Sequence, residues 1–158
     1  MKKAQKGQKL PEPHPHIGLY THAPAERSPH GWPLCVYCGQ PADALDHQPP
    51  LSRVDDYQKL YLEREQYWQV KACKPCCELL GDDLQKDIFV RIEALKYRLR
   101  RTLRRHDAAL SWADDDLAEL GRSLRSKVSV SAAVVSATQP RIDYQGGLRL
   151  LREAARRT

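Results

Sequence analysis

No run of apolar residues in this chain approaches the roughly 20 needed to cross a bilayer. The basic start, MKKAQKGQKLPEPHPH, has no apolar stretch behind it, so neither a signal peptide nor an anchor is expected. No internal repeat is visible. Cysteine is sparse, with five residues, and the odd count argues against a full set of disulfides. Four of the five fall in two C-x-x-C pairs, CVYC at Cys35–Cys38 and CKPC at Cys73–Cys76. Nothing around them looks like the strand–CxxC–helix unit of thiol redox proteins. In a reducing compartment such pairs read as metal ligands before disulfides, and a cytoplasmic location is expected.

The chain's 158 residues suffice for one domain with extensions. Hydrophobic residues make up 41% and charged residues 29%, a soluble globular balance. The formal net charge is +6, unevenly spread. Between 86 and 105 lie Lys86, Arg91, Lys96, Arg98, Arg100, Arg101, Arg104 and Arg105, against only Asp87 and Glu93. This stretch carries the whole excess, which suggests either a polyanionic partner such as nucleic acid or a solvated helix face.

Residues 1–33 read as a flexible tail rich in Pro, Lys and Gln. Its histidines, His14, His16, His22 and His30, are scattered and predict no specific metal site. Residues 34–106 hold the motifs. Val36 to Gly39 should turn tightly, and Ala42 to His47 can be a strand. Asp55 or Asp56 can cap a helix running through Tyr57, Leu60, Tyr61 and Arg64. Tyr67 to Ala72 is β-prone. Leu84, Ile88, Ile92, Leu95, Leu99 and Leu103 recur at spacings of three or four, which predicts a helix with one core-facing stripe. Arg91, Arg98, Arg101 and Arg105 fall elsewhere on that wheel, and Arg98, Arg101 and Arg105 are the expected phosphate contacts.

Residues 107–158 read as a helical extension without a recognisable chemical motif. Ser111 and Asp114 resemble a capping box at the start of SWADDDLAELGRSL. VSVSAAVVSATQP (128–140) alternates Val and Ser, as an edge strand or a poorly ordered linker would. LRLLREAARR suggests a last short helix.

Four thiolates suit tetrahedral zinc, and two C-x-x-C turns close its shell with no open position for catalysis. The 34 residues between the pairs exceed what a compact zinc ribbon needs, so something is inserted there. The insertion contains ALDHQPPLSRV, with Asp46–His47 before Pro49 and Pro50. Cys77 directly follows the second pair, as a buried small residue, a substitute ligand or part of a site.

Together, CVYC, LDHQPPLS and ACKPCC resemble the zinc-bound HNH endonucleases, over roughly residues 34–83. The resemblance implies an α+β chain: a ββα-metal core clamped by zinc at Cys35, Cys38, Cys73 and Cys76, then a long basic helix and the helical extension. It implies His47 as general base, taking a proton from a water that attacks a phosphodiester. It implies that Asp46 binds a divalent ion such as Mg²⁺. Cys77 stands where members of that family carry Asn or His as a further ligand to the ion, and sulfur suits a softer ion. Those members also often carry an Asn that orients the base shortly before the second pair. In QYWQVKA, which offers Tyr67, Trp68 and Gln69, only Gln69 can copy its hydrogen bonding. The expected function is metal-dependent DNA hydrolysis on double-stranded DNA, with no membrane partner. A zinc-stabilised nucleic-acid-binding module without catalysis and a protein-interaction adaptor are the alternatives.

Overall fold

The computed structural model describes residues 13–61, 65–106 and 118–157. At its centre is a three-stranded sheet. The β-prone WQVKA segment forms the middle strand β3 (Trp68–Ala72). On one side β3 pairs antiparallel with β2 (Ala44–Gln48); on the other it pairs parallel with the two-residue strand β1 (Thr21–His22). The segment read as a loose tail therefore supplies an edge strand. Its adjoining Tyr20 is also buried, and the Tyr20 hydroxyl donates to Pro49 O at 2.6 Å.

Alternation along the strands divides the sheet into two faces. Trp68, Val70 and Ala72 of β3, with Asp46 and Gln48 of β2, turn to the core. Leu45 and Lys71 turn outward. His47, Gln69 and His22 share that outer face in register across the three strands.

The long connection from β2 to β3 contains α1 (Val54–Leu60), shorter than the helix expected through Arg64. Asp55 and Asp56 do not cap it. The helix begins one residue earlier, and both carboxylates lie in its first turn, where they suit the positive end of the helix dipole.

β3 runs into α2 (Lys74–Leu80), with Pro75 in its opening turn. The Asp43 carboxylate accepts from Lys74 N at 2.8 Å, so a residue just ahead of β2 caps this helix from outside. Gly81, at φ 55°, ends α2 in a positive-φ conformation that favours glycine.

The predicted stripe helix is α3 (Ile88–Arg104). Ile88, Ile92, Leu95, Leu99 and Leu103 are buried, while Leu84 precedes the helix. Asp87 sets the start, its Oδ1 accepting from Val90 N at 2.8 Å.

Residues 128–140 are neither strand nor linker. They belong to α4 (Arg122–Asp143), which buries Val128, Val135, Thr138 and Ile142 along one face. Their spacings of 7, 3 and 4 are helical. The Val–Ser alternation is local, and packing against α3 overrides the modest helix propensity of valine. Lys96 Nζ donates to Tyr144 O at 2.7 Å, and His106 Nδ1 meets Ser131 Oγ at 3.0 Å, so α3 and α4 run antiparallel. The last helix, α5 (Gly146–Ala155), falls where LRLLREAARR predicted it. Ser111 and Asp114 lie outside the described residues.

The core joins all of this. Cys35 to Cys38, the inner face of the sheet, the α3 stripe and Val135, Ile142 and Leu151 of the last two helices form one cluster. Among the described residues, no helix is long and apolar enough to cross a membrane.

Candidate functional site

The two cysteine pairs come from separate turns. The first is held by a hydrogen bond from Gly39 N to Cys35 O at 3.0 Å, with Gly39 at φ 72°. The second forms as β3 gives way to α2, where Cys76 N donates to Cys73 O at 3.0 Å. Val36 N donates to Lys71 O at 2.9 Å and ties the first turn to β3. The sulfurs of Cys35, Cys38, Cys73 and Cys76 all lie within 4.8 Å of one another, and all four residues are buried. Cys38 Sγ and Cys73 Sγ are 3.7 Å apart. A zinc ion with Zn–S bonds of about 2.3 Å would space tetrahedral sulfurs by about 3.8 Å. Donor type, burial and spacing therefore fit a metal ion such as zinc.

Protonation in this cluster is divided. Hydrogen bonds from Cys35 and Cys76 pull the Cys38 thiol down to about 2. The hydrogen bond with Cys38 pushes Cys35 up to about 12, and hydrogen bonds to Cys35 and Cys38 push Cys76 higher still. Four sulfurs in so small a volume cannot all ionise without a cation between them.

A cation also stands outside the cluster. Arg141, in the last turn of α4, points Nη2 at Cys76 Sγ, 3.6 Å away. No sequence pattern signals this pairing, because Arg141 lies 65 residues beyond Cys76 in a segment without a motif.

Asp46 and His47 are consecutive on β2 and so face opposite sides of the sheet. Asp46 turns inward to Arg91, whose Nε donates to Oδ2 at 2.8 Å and Nη2 to Oδ1 at 3.1 Å. The Tyr37 hydroxyl donates to Oδ2 as well. Burial holds the Tyr37 phenol well above its usual pKa, so it remains a donor. Arg91 also reaches Gly81 O at 2.9 Å and Asp83 O at 3.0 Å, and is wholly buried. Both Asp46 oxygens are engaged by these donors, rather than turned towards an ion beside His47.

His47 turns to the outer face, half-buried. Gln69 Nε2 lies 2.8 Å from its Nε2, and Tyr20 packs edge-on with ring centres 5.0 Å apart. Gln69 is thus the amide beside the histidine. Burial lowers the His47 pKa below the ordinary imidazole value; Asp46 opposes this, and His14 and His22 add to it. His22 is exposed on β1, while His16 pairs with Asp55 at 3.3 Å.

No family model, curated protein or solved structure matches this chain.

Cys77, half-buried on α2, lies apart from the four-sulfur cluster. Burial, then the charge of Asp46, pushes its thiol up to about 11, so without a metal beside it the thiol stays protonated at neutral pH. Among the described residues the four cysteines are the one group of three or more His, Cys, Asp or Glu side chains close enough to hold a metal together.

The cations of α3 divide by position. Arg98, expected at phosphate, donates instead to Leu79 O and Leu80 O and pairs with Asp83. It caps the C-terminal end of α2, where a cation meets the last carbonyls. Arg91 and Arg98 are two helical turns apart, and both hold the α2–α3 turn. Lys96 is buried against Tyr144 O. Arg100, Arg101, Arg104 and Arg105 are exposed, with no ion pair among the described residues.

Proposed function

We propose that this chain is a zinc-stabilised nucleic-acid-binding module on an HNH-type ββα frame, with the Asp–His pair turned to structural use. The observation that carries binding is the cluster of exposed Arg100, Arg101, Arg104 and Arg105 at the end of α3. The antiparallel partner α4 adds exposed Arg122 and Lys127 near the same end. Such a concentration of cations, without an ion pair among the described residues, favours a phosphate backbone, with counterion release as the driving term. Order along the chain supports the HNH-type frame: strand β2 with the histidine, strand β3, then α2 opening on the second cysteine pair. Binding is favoured over cutting by Asp46, whose carboxylate serves Arg91 and Tyr37.

Endonuclease activity is the second reading, and the Gln69–His47 contact favours it. With the amide nitrogen towards His47, Gln69 donates and the ring proton sits on Nδ1. For His47 to act as base through Nδ1, the amide turns over so that Oε1 accepts from Nε2–H. Nδ1 then takes a proton from water as its oxygen bonds to phosphorus and the P–O bond to the leaving group breaks. A divalent ion supplies charge at the phosphate oxygens in such chemistry, and neither Asp46 nor Cys77 offers it a hard ligand in this arrangement.

Plasmid incubated with Mg²⁺, Mn²⁺, Ni²⁺ or Zn²⁺, using wild type and His47→Ala, separates the readings. The binding module retards duplex DNA on a gel and leaves plasmid intact with both proteins. Cleavage by wild type that His47→Ala loses by about 10²–10⁴-fold establishes the endonuclease instead. Its rate would persist on the acid side of about pH 6.5, because the lowered pKa keeps the imidazole neutral there. Absence of both cleavage and retardation would leave a protein-interaction adaptor.

A further inference from the structure

The fold brings Arg141 to the cysteine cluster from a distant helix. Its Nη2 lies 3.6 Å from Cys76 Sγ, in the second cysteine turn. Its Nε is buried and has no hydrogen-bond partner among the described residues. A buried N–H without an acceptor is costly.

The chemistry of a filled site gives this arrangement a purpose. Four thiolates around a divalent ion carry a net charge of about −2, and all four cysteines are buried. Enclosed charge needs compensation nearby. We propose that Arg141 is an outer partner of the metal centre, its guanidinium balancing the tetrathiolate charge from the side of Cys76. The proposal rests on metal binding by the four cysteines.

Docking of the C-terminal helices follows from the same contact. Tyr144 covers Gly39 so closely that a Cβ there would sit 2.7 Å from the ring. Gly147 backs onto Val36, where a Cβ would meet the carbonyl oxygen at 2.1 Å. Tyr144 and Gly147 are thus moulded onto the first cysteine turn, while Arg141 meets Cys76 of the second. Metal occupancy and the seating of this segment reinforce each other reciprocally.

Zinc affinity of the full chain, measured by competition with a chromophoric chelator, tests the proposal. Arg141→Gln should lose about 10–100-fold in affinity, as removal of outer partners does at other metal sites. Hydrogen exchange of amides 141–151 should slow on zinc loading in wild type, and change less in the variant. Arg149→Gln removes a cation from α5 that pairs with Glu26 at 2.6 Å, away from sulfur, and should keep zinc affinity within a few-fold. If Arg141→Gln does not fold with zinc present, Arg141→Lys carries the test. It keeps the charge and loses the planar fork, so a several-fold loss is expected. Wild-type affinity in a folded Arg141 variant, or an equal loss in Arg149→Gln, overturns the role of Arg141. Wild type that binds no zinc overturns the metal reading itself.

Discussion

Arg91 and Asp46 form an enclosed ion pair, and the energetics of such pairs are asymmetric. Removing one partner strands the other charge at a cost of about 3–5 kcal/mol, while replacing both with apolar groups is often nearly neutral. Asp46→Leu should therefore destabilise the zinc-loaded protein by about that amount in urea unfolding. Adding Arg91→Met should restore much of the stability. A change under about 1 kcal/mol for Asp46→Leu would remove the structural role of the pair. The Asp–His motif was legible in the sequence, and so was the amide of Gln69 beside His47. The partner of Asp46 was not. Arg91 lies 45 residues away, and a helical wheel registers it as polar without indicating that its guanidinium is enclosed by the α2–α3 turn. Strand alternation did offer a signal: consecutive residues of a strand point to opposite faces, so an ion held by Asp46 on the same side as a His47 base needs a break in the strand there.

At the scale of the element, α3 does two jobs along its length. Its face towards α2 anchors that helix through Arg91 and Arg98, and its end presents Arg100, Arg101, Arg104 and Arg105. Substituting Arg101, Arg104 and Arg105 with Gln should weaken duplex DNA binding and flatten the log–log salt slope by about one unit for every phosphate left without its arginine. Arg98→Gln should lower the unfolding midpoint with little effect on that slope. Identical slopes for wild type and the triple variant would show the exposed arginines to be merely solvated. The core stripe of α3 was readable because five buried aliphatics mark a single helical face. In α4 the same device is spread thinly: four buried positions over 22 residues, with Val and Ser alternating between them. Periodicity alone cannot separate that pattern from a strand, and only the antiparallel seat on α3 decides it.

The molecule as a whole is closed by contacts far apart in sequence. Glu26 accepts from the Tyr144 hydroxyl at 3.0 Å and from Arg149 at 2.6 Å, across 118 and 123 residues. One core holds both cysteine turns, the sheet and the last helices. Stripping metal with a chelator should therefore remove the helical signal of α4 and α5 in the same step as the cysteine region, since ligation is coupled to folding. Circular dichroism followed against chelator would show a single transition. Survival of most helical signal after complete metal removal would separate the two. This closure also imposes an order on synthesis. All four cysteines leave the ribosome before Arg141, which follows Cys76 at a separation of 65 residues. At ordinary elongation rates the interval is roughly 3–13 s. During it, a nascent chain can capture zinc with its own thiolates but lacks the guanidinium and the Tyr144–Gly147 cover. On the proposed zinc reading, metal taken up at that stage should exchange more readily than metal in the finished fold, where residues 141–147 are seated.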